Sequence, residues 1–149
     1  MSLSTENEPA TANSSVEDEA HTDIHSVDDV LTARKMVRFR AIALGFNSPQ
    51  VTLLAAAISE VARNIIEHAS AGEVIMRIVR AGSRRGLRMI ARDRGPGIPD
   101  VANATQFGRS ARGGLGVGLP GTKLLVDEFD IISMAGIGTT VTMTKWAPS

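Results

Sequence analysis

Residues 86–100, GLRMIARDRGPGIPD, decide how the chain is read. Leu87 to Ala91 read as a strand, and the strand runs out at a carboxylate, Asp93, followed at once by Gly95-Pro96-Gly97. Glycines at that point let backbone come close to a flat ligand while the carboxylate accepts a proton from an amine, such as the N6 amine of adenine. An ordinary tight turn is the competing reading, because Asp-x-Gly and Gly-Pro-Gly both form turns readily.

Upstream, residues 73–81 form a second strand, and Gly82-Ser83-Arg84-Arg85 between the two predicts a hairpin. A helix precedes it, from about Pro49 to Ala69, with Leu54, Ile58, Val61, Ile65 and Ala69 at helical spacing. An earlier helix is capped by Asp28 or Asp29 and ended by Gly45. Residues 21–27 alternate weakly and suit an edge strand. Residues 1–20 hold almost no large apolar side chain, so they read as a disordered acidic tail, with one domain over 21–149.

Downstream, a glycine-rich stretch from Arg94 to Gly114 leads into a helix from about Val117 to Glu128. Two strands follow, residues 129–135 and 139–146, separated by Gly136-Ile137-Gly138. Strand, two helices, hairpin, loop, helix, hairpin is the order of an α+β fold. It predicts a two-layer sandwich whose mixed, mostly antiparallel sheet is covered on one face by helices.

Composition narrows the function. A chain of 149 residues suits one domain, and the absence of Cys excludes disulfides and thiolate metal sites. All eight acids of positions 1–29 stand without a single Lys or Arg, whereas the rest carries 16 basic and eight acidic residues. A basic body suits an anionic ligand or acidic partner. Nucleic acid is disfavoured, because four Phe and one Trp leave little for base stacking and the Arg residues are not gathered in one helix. The N-terminus has no signal-peptide pattern, and the longest apolar stretch, Leu53 to Ile58, is too short to span a membrane, so a cytoplasmic protein is expected.

Three further constellations bear on chemistry. Glu60 and Asn64 stand four apart on the second helix, so their Cβ atoms lie about 6 Å apart on one face, beside the apolar stripe. A carboxylate and a carboxamide there suit a general base and a Mg²⁺ ligand; a solvated helix edge is the plainer reading. The run Gly113-Gly114-Leu115-Gly116-Val117-Gly118-Leu119-Pro120-Gly121-Thr122-Lys123 opens a helix, and its amides make a phosphate cradle. It is neither a dinucleotide fingerprint, since a loop rather than a strand precedes it, nor a P-loop, since Thr-Lys stands where Lys-Thr is required. Lastly, Gly136-Ile137-Gly138-Thr139-Thr140 places hydroxyls that could support Asp93, or is simply a hairpin turn.

In this order and on these elements, the four signals resemble the GHKL ATPase superfamily (the Bergerat ATP-binding fold) of DNA gyrase, MutL and histidine-kinase catalytic domains. The phrases AISEVARNI, RDRGPGIPD, GGLGVGLPGTKLLVDEF and AGIGTTV look most like the small serine/threonine kinases of bacterial partner switching, the RsbT type that acts with stressosome proteins. Anti-sigma kinases of the RsbW type usually lack the Leu-Pro-Gly found at 119–121. The resemblance covers about residues 24–146, and the acidic leader is the main departure from it.

The resemblance implies ATP and Mg²⁺ as cofactors and a STAS-domain protein as substrate, with a downstream phosphatase or sigma-factor regulator as a further partner. Asp93 would accept the adenine amine, Gly95 and Gly97 would allow close approach, and Thr139 would hold a bridging water. Asn64 would ligate Mg²⁺ and Glu60 would act on the attacking hydroxyl. Gly114, Gly116 and Gly118 would donate to phosphates beneath a lid at about 104–112, with Arg109, Arg112 and Lys123 as helpers. The alternative is a nucleotide-dependent anti-sigma factor or other sequestering module. His21, His25 and His68 read as surface or core-margin residues rather than a metal site.

Overall fold

The computed structural model describes residues 14–95 and 118–148. In chain order the elements are β1 (Ser15–Ile24), α1 (Val27–Ala43), α2 (Ser48–Ala69), β2 (Gly72–Ala81), β3 (Arg84–Asp93), α3 (Gly118–Leu125), β4 (Glu128–Met134) and β5 (Gly138–Trp146). The five strands form one sheet in the order β1-β2-β3-β5-β4. Every pairing among them is antiparallel, so the expected mixed sheet is a purely antiparallel one over the described residues.

Local chemistry sets the boundaries. Helix α2 opens on Asn47, whose side chain accepts from the Gln50 amide while the Gln50 side chain accepts from the Asn47 amide. This reciprocal cap satisfies two end donors, and Pro49 in the first turn sacrifices none. Helix α1 starts earlier than expected. Its N-cap is Ser26, and Asp29 sits one turn in, where Oδ2 accepts the His25 and Ser26 amides at 2.8 and 3.1 Å. The β2–β3 hairpin is tighter than expected too. Gly82, at φ +64°, closes a two-residue turn, so Arg84 and Arg85 belong to the strand.

Strand alternation then divides the sheet. Val74, Met76, Ile78, Leu87, Met89, Ala91, Val141 and Met143 face α1 and α2 and build one core with Val37, Leu54, Ile58, Val61 and Ile65. Burying each such side chain contributes about 1.5–3 kcal/mol. The other face carries a polar row that crosses all five strands, Glu19–Arg77–Arg88–Thr144–Glu128. Arg77 Nε donates to Glu19 at 2.7 Å, and Arg88 Nε donates to Thr144 Oγ1 at 2.9 Å. Burial lowers the proton affinity of both guanidinium groups, Arg88 being opposed in this by Glu128. At the far end of the sheet Trp146 donates Nε1–H to Glu128, and the Arg84 guanidinium lies 4.4 Å from its ring centroid.

The edge strand corrects the tail boundary. It begins at Ser15, so residues 15–20, expected to be disordered, pair with β2. The reason is electrostatic rather than hydrophobic. Glu17 pairs with Arg80 and Arg85, Asp18 with Arg40, and Glu19 with Arg77. Residues 1–13 of the expected tail lie outside the described residues.

These pairs give the protein an acid limb. Arg80, the largest influence, holds Glu17 below the ordinary carboxylate value of 4.5, and the His25 amide does the same for Asp29 against 3.8. A carboxylate whose folded pKa is depressed contributes stability above its unfolded pKa and loses it as pH falls through the folded value. Urea midpoints should therefore drop between about pH 5 and about pH 3, and Glu17→Gln should flatten that drop. An unchanged limb in the variant would remove Glu17 from it.

Candidate nucleotide site

The site forms where the core face of the sheet meets the C-terminal half of α2. Asp93 ends β3 and Thr139 is the second residue of β5, and both line a slot with residues of the helix. Asp93 Oδ1 accepts two backbone donors, Gly95 N–H at 2.9 Å and Thr139 N–H at 3.2 Å. One carboxylate oxygen is thus held by the protein. The Thr139 hydroxyl does not reach Asp93; it shares a hydrogen bond with Ser133 at 2.9 Å. It is the amide of Thr139 that fixes the carboxylate.

Two glycines allow these elements to converge. Gly138 has φ +147°, and a Cβ there would collide with the Asp93 carbonyl. At Gly95 a Cβ would stand 2.5 Å from the Ala69 side chain at the end of α2. Both contacts need bare backbone.

Asn64, half-buried on α2, joins Asp93 and Thr139 around a narrow slot walled by Val61, Ile65, His68, Ala91 and Val141. Its free volume of about 20 Å³ has room for one water molecule. Glu60 stands one helical turn before Asn64 and does not line the slot. Its side chain is 12% exposed and lies 3.5 Å from Arg63. Lys123 is exposed in the last turn of α3, and Gly118 is that helix's first residue. Gly97, Arg109, Arg112, Gly114 and Gly116, with the expected lid, lie outside the described residues.

Three of the walls, His68, Ala91 and Val141, are what sequence reading missed. Each stood in a legible register: His68 is four residues after Asn64 on the same helix face, while Ala91 and Val141 are two from Asp93 and Thr139 on the same sheet face. A second and larger cleft, about 740 Å³, runs along the strand ends onto the other side of the sheet. Asp93 borders it, along with Asp23, Glu73, Arg92 and Ile132, but Asn64 does not. The nucleotide reading rests on the slot, because only there do the carboxylate and carboxamide meet. No helix among the described residues is long and apolar enough to cross a membrane.

Comparison with known proteins gives the family. The chain is 44% identical over 118 residues to the serine/threonine-protein kinase RsbT of Bacillus subtilis, spanning 79% of this chain and 89% of that protein. It also superposes on the crystal structure of the RsbU and RsbW domains of Rv1364c from Mycobacterium tuberculosis. There the TM-score is 0.62 and the identity 22% over 89% of this chain, a likeness of fold alone. The chain spans about a third of that structure, 34%. Residues 25–145 match the model of the histidine kinase-like ATPase domain. With its carboxylate at a strand end, its carboxamide on the facing helix and this sequence match, the chain belongs to the histidine kinase-like ATPase domain family.

Proposed function

We propose that the chain is an ATP-dependent serine/threonine-protein kinase of a bacterial partner-switching system, and that its substrate is a STAS-domain protein. The observation that carries this reading is Asp93. Two amides fix one of its oxygens, and the residue lines a slot together with Asn64 and Thr139. A carboxylate so placed accepts the adenine amine, and the one-water slot beside Thr139 suits a bridging water to the ring.

Asn64 supplies one neutral oxygen donor, which fits Mg²⁺ arriving with the triphosphate rather than a cage of protein ligands. Bound there, the ion neutralises phosphate charge. The protein's own contribution is to hold the adenine, present Asn64 and accept a proton. In the reaction the substrate hydroxyl oxygen bonds to the γ-phosphorus, the bond to the β–γ bridging oxygen breaks, and ADP leaves. The hydroxyl proton goes to Glu60. The amides of Gly114, Gly116 and Gly118, with Gly97, Arg109, Arg112 and Lys123, are assigned to the phosphates and the nucleotide on resemblance to the family. A cytoplasmic setting and a downstream phosphatase or sigma-factor regulator belong to the same reading.

The test is radiolabelled ATP with Mg²⁺ and a STAS-domain protein, followed by mass spectrometry. The expected result is stoichiometric label on one Ser or Thr of that protein. Label confined to a histidine would overturn the assignment. A tight ATP-dependent complex without label would make the chain a sequestering module instead.

A further inference from the structure

On the face of the sheet away from the nucleotide slot, β1 and β2 bring together three side chains that no sequence pattern links. His21 and Asp23 stand two apart on β1 and so share a face. Glu73 lies directly opposite Asp23 in the ladder. His21 Nε2 is 2.8 Å from Glu73 Oε1 and 3.2 Å from Asp23 Oδ1. The three ligand atoms all lie within 4.8 Å of one another.

Two carboxylates directly opposed across an antiparallel pair repel each other. Arg92 relieves part of the repulsion. Its Nε lies 3.7 Å from Glu73 Oε2, beyond hydrogen-bond distance, and is buried without a hydrogen-bond partner. The cluster thus sets one imidazole nitrogen within 3.2 Å of two carboxylates that face each other across the ladder.

We propose that His21, Asp23 and Glu73 form a binding site for a first-row divalent cation, of which Zn²⁺ is the probe. Donors about 2.0–2.2 Å from one ion stand roughly 3–3.5 Å apart, close to the separations of His21 from each acid. One imidazole and two carboxylates are donors that such ions accept. Arg92 need not move away, because it approaches Oε2 while Oε1 faces His21. It becomes the outer partner that orients a ligating carboxylate. Asp23 and Glu73 border the 740 Å³ cleft, which gives the ion open positions for water or an anionic group. Bound there, the ion ties the edge strand to the body of the sheet, on the opposite face from Asn64. The histidine read from the sequence as a surface residue thus acquires a role, because its two partners come one from its own strand and one from 52 residues further along.

The experiment is calorimetric titration of Zn²⁺ into the nucleotide-free full chain near neutral pH, repeated with Co²⁺ while its visible absorption is recorded. One equivalent should bind in the micromolar range, and the thermal midpoint should rise with Zn²⁺. His21→Ala and the shape-conserving Glu73→Gln should each weaken binding by at least about tenfold and remove the rise, while His25→Ala leaves both unchanged. Binding weaker than millimolar, or uptake that folded His21→Ala retains in full, would overturn the site.

Discussion

Glu60→Ala is expected to lower phosphoryl transfer to the partner by about 10²–10⁴-fold while ATP affinity changes by less than about threefold. The asymmetry follows from when the carboxylate acts. A general base stabilises the transition state, in which the hydroxyl proton is leaving, and has little to do with the bound ground state. The position agrees with that role. Glu60 is a turn away from Asn64, outside the slot that Asn64 shares with Asp93, and mostly shielded from solvent. Its pairing with the half-exposed Arg63 is worth little, so stability should hardly change. Single-turnover transfer with labelled ATP, beside calorimetric ATP affinity, separates the two quantities. Equal losses in both would reassign Glu60 to binding, and unchanged transfer would remove it from the reaction.

Asp93→Asn should show the reverse pattern, losing ATP affinity about ten- to hundredfold, or roughly 1.5–3 kcal/mol. The structure explains why the fold should survive. The oxygen that accepts the Gly95 and Thr139 amides has a counterpart in the carboxamide, so Asn can keep both bonds. What changes is the free end, where an NH₂ replaces Oδ2 and meets the adenine amine donor to donor. GTP, which lacks that amine, should bind the native protein much more weakly than ATP and should be far less affected by the substitution. Calorimetry of both nucleotides on both proteins is the measurement. A folded Asp93→Asn variant that binds ATP as the native chain does would sink the assignment.

The parts legible in the sequence were those with local punctuation. The carboxylate at a strand end, the helix from Pro49 to Ala69 and the glycines around Thr139 are marked by residues whose backbone preferences act over a few positions. Element order followed from them, and so did the two-layer α+β fold. The start of β1 was not legible, because Glu17 and Glu19 look like part of a solvated tail until Arg77, Arg80 and Arg85 are placed beside them. Those partners are about sixty residues away, and only the ladder register joins them. The cap of α1 failed for a nearer reason. Ser26 and Asp29 act together, and a reading that credits the acid alone puts the start too late. The cluster of His21, Asp23 and Glu73 likewise depends on which strands become neighbours.

Trp146 gives the protein an optical handle that its chemistry does not otherwise require. It is the chain's only tryptophan, mostly buried, and anchored by Glu128 and Arg84. It pairs with Gly86, seven residues along β3 from Asp93, which puts the fluorophore roughly 24 Å from the adenine contact at about 3.4 Å per residue. Emission from that distance registers whether the sheet is assembled and is insensitive to direct stacking or quenching by a bound base. One spectrum of each variant therefore certifies the fold before any ligand is added, so that a lost affinity at Asp93 or a lost rate at Glu60 can be assigned to the site alone.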